Sequence, residues 1–316
     1  MATMKVLISD KIEEVCPRKL REYSGIEVVE TGGLKPDGLL AQVKGCAGLI
    51  VRSASKVTKE VIEAGSALKV IGRAGAGVDN IDVKAATAKG IVVMNTPGGN
   101  ANAVAELTLG LMIALAREIA RGDATMKAGQ WDKKSFMGVE LAGKTLGLIG
   151  IGFVGSKVAA KARALDMKVM VHDPFVSPDE ARRLGVDMVE LEALLKSSDY
   201  ISLHLPRTPE TIGLVNREAL AKMKRGVYLV NCARGGIIAE ADLLAALDSG
   251  QVAGAAVDVY EPEPPTNWAL ARHPKVVAMP HIGASTLEAQ NAVAHMIAEQ
   301  VGAYLTTGKV KFAVNA

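Results

Sequence analysis

Two doubly wound parallel α/β domains, one inserted into the other, are the architecture this sequence predicts. Three observations predict it. Short apolar runs alternate with helix-length crossovers along most of the 316 residues, the pattern of parallel strands joined by helices. An irregular polar stretch, 121–134, parts two such series. The last helical segment has no strand of its own to follow, so it can return to the first series. That return makes the outer domain discontinuous, residues 1–99 plus 285–316, around a middle domain of residues 100–284.

In the first series the clearest strands are Lys5–Ser9, Gly48–Arg52, Leu68–Gly72 and Ile91–Asn95. A long helix over Ala101–Ala120 follows, with Val104, Leu107, Leu111 and Leu115 recurring at three and four residues. Beyond the polar stretch, Leu141-Ala142-Gly143-Lys144 opens the second series. Its strands are Thr145–Ile149, Lys168–His172, Tyr200–Leu203, Val227–Asn231, Gly254–Val259 and Lys275–Met279. Five or more parallel strands with helices on both faces are expected. The closing helix runs from Thr286 to Thr307, with Ser285-Thr286 as its cap and Glu288 just inside. Two crossings between domains would form a hinge over a cleft, the usual place for a small-molecule site.

Composition narrows the partners. Hydrophobic residues at 49% can fill two ordinary cores, and the 32 glycines follow no triplet period, so they call for local turns and close backbone approaches. Aromatic residues at 3% do not supply a stacking platform for single-stranded nucleic acid. The net charge of +3 is scattered, with only short pairs such as Lys133-Lys134 and Arg182-Arg183, so no nucleic-acid footprint is visible. Cys16, Cys46 and Cys232 are far apart and odd in number, which fits a reducing compartment and no metal site. The strand-like run at Lys5 leaves no room for a leader, and the apolar window Leu107–Ala116 is too short to span a bilayer. A soluble cytoplasmic protein is expected.

Gly150-Ile151-Gly152-Phe153-Val154-Gly155 stands where the strand Thr145–Ile149 gives way to a helix expected over Ser156–Leu165. In that setting Gly150 makes the tight turn, Gly152 lets backbone approach a pyrophosphate, and Gly155 lets helix and strand pack closely. The helix amino terminus then faces the phosphates of a bound dinucleotide. Asp173, at the end of the next strand, can accept hydrogen bonds from ribose hydroxyls and would repel a 2'-phosphate. No Arg or Lys follows in Pro174-Phe175-Val176, so NAD is favoured over NADP. S-adenosylmethionine enzymes use a similar loop and acid, so the chemistry must be settled by other residues.

Five histidines allow elimination. His295 lies within the last helix, His273 is expected to be exposed before Pro274, and His172 sits beside Asp173 on the adenosine side. His204 ends a strand before Pro206 and stays a minor candidate. His281 follows Pro280 on a turn at the second domain crossing, where an imidazole could take a proton from a substrate hydroxyl as hydride leaves the same carbon. A carboxylate would stabilise the resulting cation, and the loop Glu261-Pro262-Glu263-Pro264 supplies two, of which Glu263, between prolines, is preferred. Asp258, at the strand end, is expected to meet the nicotinamide. Arg234, immediately off another strand, carries a planar fork suited to a carboxylate, and Gly235-Gly236 would open its loop toward the cleft. Cys232 has no adjacent base and is read as a small strand-end residue.

Taken in order, Gly150–Gly155, Asn231-Cys232-Ala233-Arg234-Gly235, Asp258-Val259-Tyr260-Glu261-Pro262-Glu263-Pro264 and Pro280-His281-Ile282-Gly283-Ala284-Ser285-Thr286 resemble the D-isomer-specific 2-hydroxyacid dehydrogenases. The resemblance spans Lys5 to Asn315. It implies a Rossmann-type NAD-binding domain inserted in a discontinuous flavodoxin-like substrate-binding domain, and a homodimer formed through the nucleotide-binding domains. It also implies that Arg234 binds the substrate carboxylate, that Glu263 pairs with His281 and that His281 is the acid/base. Phe153, Val154, Pro206, Cys232, Ala233, Asp258 and Gly283 join the glycines and Asp173 around the cofactor.

Val51-Arg52-Ser53-Ala54-Ser55-Lys56-Val57, Gly72-Arg73-Ala74-Gly75-Ala76-Gly77-Val78-Asp79-Asn80 and Asn95-Thr96-Pro97-Gly98-Gly99-Asn100 resemble members whose substrate carries a phosphate. That resemblance implies backbone amides near Ala74 and Gly75 closing on substrate, Arg52 and Ser53 reaching its phosphate, and Lys133 or Lys134 adding charge from a neighbouring subunit. Ala76 departs from the Thr common there, and the chain stops near Asn315 without the regulatory domains of some members. A short-chain dehydrogenase is excluded, because the residues four after each tyrosine are Glu27, His204, Cys232, Pro264 and Gly308, none of them lysine. A methyltransferase and a nonenzymatic dinucleotide sensor are the competing readings. Neither requires the set Arg234, Glu263 and His281.

Overall fold

The computed structural model describes residues 3–315; residues 1, 2 and 316 of the expected outer domain lie outside the described residues. Two compact units form. One holds the described chain up to Ala101 together with that from Ala284 onward, and the other holds Asn102–Gly283.

The first unit runs β1 (Met4–Ile8), α1 (Val15–Arg21), β2 (Ile26–Glu30), α2 (Pro36–Gln42), β3 (Gly48–Val51), α3 (Lys59–Ala64), β4 (Val70–Arg73), α4 (Val83–Ala88) and β5 (Val92–Met94). Its parallel sheet has the order β2-β1-β3-β4-β5. Alternation along the strands serves two faces. Leu7, Leu49, Val51, Ile71 and Val93 pack with α2 and α3, whereas Val6, Ile8, Ile50, Val70 and Met94 pack with the returning helix through Val293, Ala294, Ile297 and Val301. Strand β2 escapes the sequence pattern because it is an edge, with Glu27 and Glu30 exposed between half-buried apolar residues. After the last helix the chain returns to the other edge, where Asn315 Oδ1 accepts from Val93 N–H at 2.8 Å.

The chain continues with α5 (Ala101–Ala116), which enters the second unit at Asn102, then α6 (Ile119–Lys127), a 3-10 turn at Lys133–Ser135, β6 (Thr145–Ile149), α7 (Phe153–Ala164), β7 (Lys168–His172), α8 (Pro178–Leu184) and β8 (Asp187–Met188). Then come α9 (Leu191–Ser197), β9 (Tyr200–Leu203), α10 (Arg217–Lys222), β10 (Val227–Asn231), α11 (Glu240–Asp248), β11 (Val252–Val257) and β12 (Val276–Ala278), before α12 (Leu287–Thr307) returns to the first unit. Seven parallel strands stand in the order β12-β11-β10-β9-β6-β7-β8. Order reverses between β9 and β6, the switch point at which such sheets bind ligands. Ile201, Leu229, Ala255 and Val257 face one core, and Tyr200, Val230 and Ala256 face the other, so both faces are covered.

Three expectations are corrected. The long helix stops at Ala116, because Glu118 turns left-handed (φ 50) and the Val139 N–H donates to the Ala116 carbonyl at 2.8 Å. Part of the stretch expected to be irregular is the helix α6; it buries no residue and is laced by pairs such as Lys127–Asp123 at 2.7 Å, so no apolar stripe announces it. The glycine-turn helix begins at Phe153 rather than Ser156.

Candidate active site

Gly150 adopts φ +96, and a Cβ there would overlap the His204 carbonyl; a Cβ at Gly155 would overlap the Gly150 carbonyl. Only glycine permits that double approach of strand end, helix start and β9. At Gly152 a Cβ would meet nothing within 4 Å, so the space above it is open. The first intrahelical bond of α7 runs from Ser156 N–H to the Gly152 carbonyl at 3.0 Å. The amides of Phe153, Val154 and Gly155 therefore lie in the turn that helix geometry leaves without carbonyl partners, facing an open cradle. That cradle fits a pyrophosphate at a helix amino terminus. Asp173 is aimed by two amides, with Oδ2 accepting from Ile151 N–H at 2.9 Å and Oδ1 from Phe175 N–H at 3.0 Å. Each oxygen keeps a lone pair for a ribose hydroxyl. Pro206 is exposed beyond β9, its carbonyl accepting from the Thr211 hydroxyl.

The second cluster sits at the carboxyl ends of β10 and β11 and in the turn after β12. Nδ1 of His281 lies 2.6 Å from Glu263 Oε2, and Glu263 Oε1 accepts from Tyr260 N–H at 3.1 Å. Burial alone would raise the Glu263 carboxyl. The hydrogen bond with His281, the Tyr260 amide, the charge His281 carries when protonated and the charge of Arg234 outweigh it and hold the group below the usual carboxylate range. Glu261 instead meets Arg207 at 3.3 Å. His281 has φ 55, a left-handed backbone rare for a side chain with a Cβ, and Asp258 pins the turn. Its two oxygens accept from Ile282 N–H at 2.7 Å and Gly283 N–H at 2.8 Å. Asp258 is 1% exposed, and that burial pushes its carboxyl above the ordinary range despite the two donors.

Arg234 leaves β10 on a turn bound by Asn231, whose Oδ1 accepts from Ala233 N–H at 3.0 Å and whose Nδ2 donates to the Arg234 carbonyl at 2.9 Å. Gly235, expected to open this loop toward the cleft, is observed in a close packing position. It packs against the Tyr260 carbonyl so closely that a Cβ would overlap it, which draws the Arg234 turn and the Glu263 loop together. Cys232 is buried, and that burial pushes its thiol up to about 12, leaving no thiolate near neutrality.

The other histidines are accounted for. His204 donates to or accepts from Ser202 Oγ at 2.9 Å, and burial drives its imidazole down to about 4, so it is neutral near pH 7. His172 bonds the Val189 carbonyl at 3.1 Å. His273 is not exposed as expected: its side chain is 11% accessible and contacts Asp248. His295 is exposed on α12.

In the first unit, Arg52 follows β3 with its N–H donating to Asp10 Oδ2 at 2.6 Å; Asp10 also takes the Ser55 hydroxyl, and Asn80 Nδ2 donates to the carbonyls of Arg52 and Ser55. Ser53 is exposed on this braced loop. The Ala74 amide expected to meet substrate is already spent on the Val51 carbonyl at 2.9 Å. Gly75, at φ +144, leaves room for the Arg73 guanidinium, which a Cβ would strike. Val51 and Arg73 are register partners, so Arg52 and Arg73 leave the carboxyl ends of adjacent strands.

A family model described as "D-isomer specific 2-hydroxyacid dehydrogenase, NAD binding domain" matches residues 109–283. The chain belongs to the D-isomer-specific 2-hydroxyacid dehydrogenases. Among solved structures, the TT0316 protein of Thermus thermophilus is 38% identical with a TM-score of 0.88 and covers 98% of this chain and 100% of its own. A cofactor(NAD+)-bound 3-phosphoglycerate dehydrogenase of Entamoeba histolytica is 35% identical with a TM-score of 0.84, over 100% and 99%. The D-3-phosphoglycerate dehydrogenase of Rattus norvegicus is 51% identical over 296 residues, 94% of this chain and 55% of that protein. The chain spans about half the length of the curated relatives it matches.

Within this dehydrogenase fold, His281 and Glu263 are bonded and Arg234 is close enough to bias Glu263 electrostatically. Asn231, Arg73 and Gln290, which bonds Arg52, stand out only in the structure. Asn231 opens the run Asn231-Cys232-Ala233-Arg234-Gly235, yet nothing in a string marks which side chain ties its turn. The glycine at 75 is the one sequence signal for the space Arg73 fills. Among the described residues no cluster of His, Cys, Asp and Glu is built to hold a metal, and no helix is long and apolar enough to cross a membrane.

Proposed function

We propose that the chain oxidises D-3-phosphoglycerate with NAD to 3-phosphohydroxypyruvate and NADH, the opening step of phosphorylated L-serine synthesis, in the cytoplasm. The observation that carries the reading is the His281–Glu263 bond at 2.6 Å. With Nδ1 committed to Glu263, Nε2 is the nitrogen left for the substrate proton. His281 takes the proton of the C2 hydroxyl through Nε2, and Glu263, kept ionised, stabilises the imidazolium. In the reverse direction the protonated ring returns that proton. Arg234 holds the carboxylate through its two-pronged fork and fixes the carbon to be oxidised. NAD, when bound, supplies the hydride acceptor. The glycine cradle with Phe153 and Val154 would hold its pyrophosphate and Asp173 its ribose, with Pro206, Cys232, Ala233, Asp258 and Gly283 lining the rest. Arg52 and Ser53 bind the substrate phosphate, and the Gly75 amide closes on the substrate.

A homodimer through the NAD-binding domain accompanies this reading. It is supported by Ile119, Met126, Trp131 and Met137, which are 50%, 55%, 81% and 88% exposed within one segment. Lys133 and Lys134 lie in the same segment, and one or the other would bring charge to the neighbouring subunit's site.

NADH absorbance with D-3-phosphoglycerate, D-glycerate, D-lactate and D-malate tests the proposal. The highest kcat/KM is expected for D-3-phosphoglycerate, with NAD at least ~10-fold more efficient than NADP because Asp173 repels the extra phosphate. Higher efficiency with an unphosphorylated acid would replace the substrate assignment.

A further inference from the structure

A guanidinium that is to bind a phosphate works best when it is aimed beforehand, because rotamer freedom left open is lost on binding. Arg52 has three groups engaged. Its N–H donates to Asp10 Oδ2 at 2.6 Å, Nη1 donates to the Lys11 carbonyl at 3.2 Å, and Nη2 donates to Gln290 Oε1. Asp10 and Lys11 follow β1, whereas Gln290 stands in the first turn of α12, its own N–H bonded to the Thr286 carbonyl at 3.0 Å. The Gln290 carboxamide is used at both ends. Oε1 accepts from Arg52 while Nε2 donates to the carbonyl of Ala284, the first residue of the returning segment in the same unit.

An amide is the group this position demands. It must accept from a cation and donate to a carbonyl at once, which a carboxylate cannot do. A glutamate would set a second acceptor against the Ala284 carbonyl and would neutralise the charge that draws a phosphate. An alanine would leave the guanidinium only the Lys11 carbonyl. The neutral amide fixes the direction of Arg52 and spares its charge.

We propose that Gln290 is a positioning residue that aims Arg52 at the substrate phosphate and so sets the preference for a phosphorylated over an unphosphorylated 2-hydroxy acid. It rests on the assignment of Arg52 to that phosphate, and Gln290 acts through Arg52 without touching the reacting carbon.

Steady-state oxidation of D-3-phosphoglycerate and D-glycerate by the unaltered chain and by Gln290→Ala, Gln290→Glu and Arg52→Ala tests it, with NAD titration as the check on fold. Alanine and glutamate are both good helix formers, so α12 is retained. Both Gln290 variants should raise KM for D-3-phosphoglycerate about 10-fold or more, the glutamate more than the alanine, with kcat, the glycerate KM and NAD affinity unchanged. If Arg52→Ala is selective for the phosphorylated substrate while the Gln290 variants change both substrates alike or neither, the role of Gln290 is overturned and that of Arg52 stands. Parallel changes for the two substrates in Arg52→Ala overturn both.

Discussion

His281 holds a left-handed backbone (φ 55) because Asp258 binds the two amides that follow it, so the turn that carries its imidazole is fixed by a carboxylate that is itself buried. The neighbouring acid is tuned the opposite way: Glu263 lies below the usual carboxylate range. Its stabilising contribution is therefore full above the ordinary carboxylate range and is lost only as pH falls through its lowered value. Replacing Glu263 with glutamine removes the charge that favours the imidazolium. Turnover should fall about 10-fold or more, and the acidic limb should move to lower pH, measured as kcat against pH. An unmoved limb would separate Glu263 from the proton transfer. At this scale the sequence made His281, Glu263 and Arg234 legible through strand ends, prolines and order. Asn231 and Gln290 were not legible as ties, since an amide side chain shows its partners only when the chain is folded.

Among the elements, the glycines separate turns that serve packing from turns that serve a ligand. Gly235 lies against the Tyr260 carbonyl, whereas Gly152 faces open space. Gly235→Ala should cost about 1–3 kcal/mol, read as a lower Tm, together with turnover, because it forces apart the segments bearing Arg234 and Glu263. Gly152→Ala should leave Tm unchanged and weaken NAD in a direct titration, because its methyl group enters only the space a pyrophosphate needs. The strands β6, β7, β9 and β10 carry the boundaries that apolar runs predict, since strands covered on both faces read as continuous apolar stretches. Strand β2 and helix α6 do not, because the first is an edge and the second buries no residue.

On the scale of the whole molecule, each unit has an apolar core on both faces of its sheet, and the chain passes between them after Ala101 and again after Gly283. The sequence disclosed that discontinuity through one clue, a final helix with no strand after it, and α12 supplies Val293, Ile297 and Val301 to the first unit's core. The proposed reaction sends the substrate proton through His281. The most direct test is the turnover of a folded His281→Ala variant, followed by NADH absorbance with D-3-phosphoglycerate and paired with NAD titration. Loss of roughly 10²- to 10⁴-fold in turnover with NAD affinity intact is the predicted result. A folded, NAD-binding variant that turns over at nearly the unaltered rate would mean that the proton does not pass through His281.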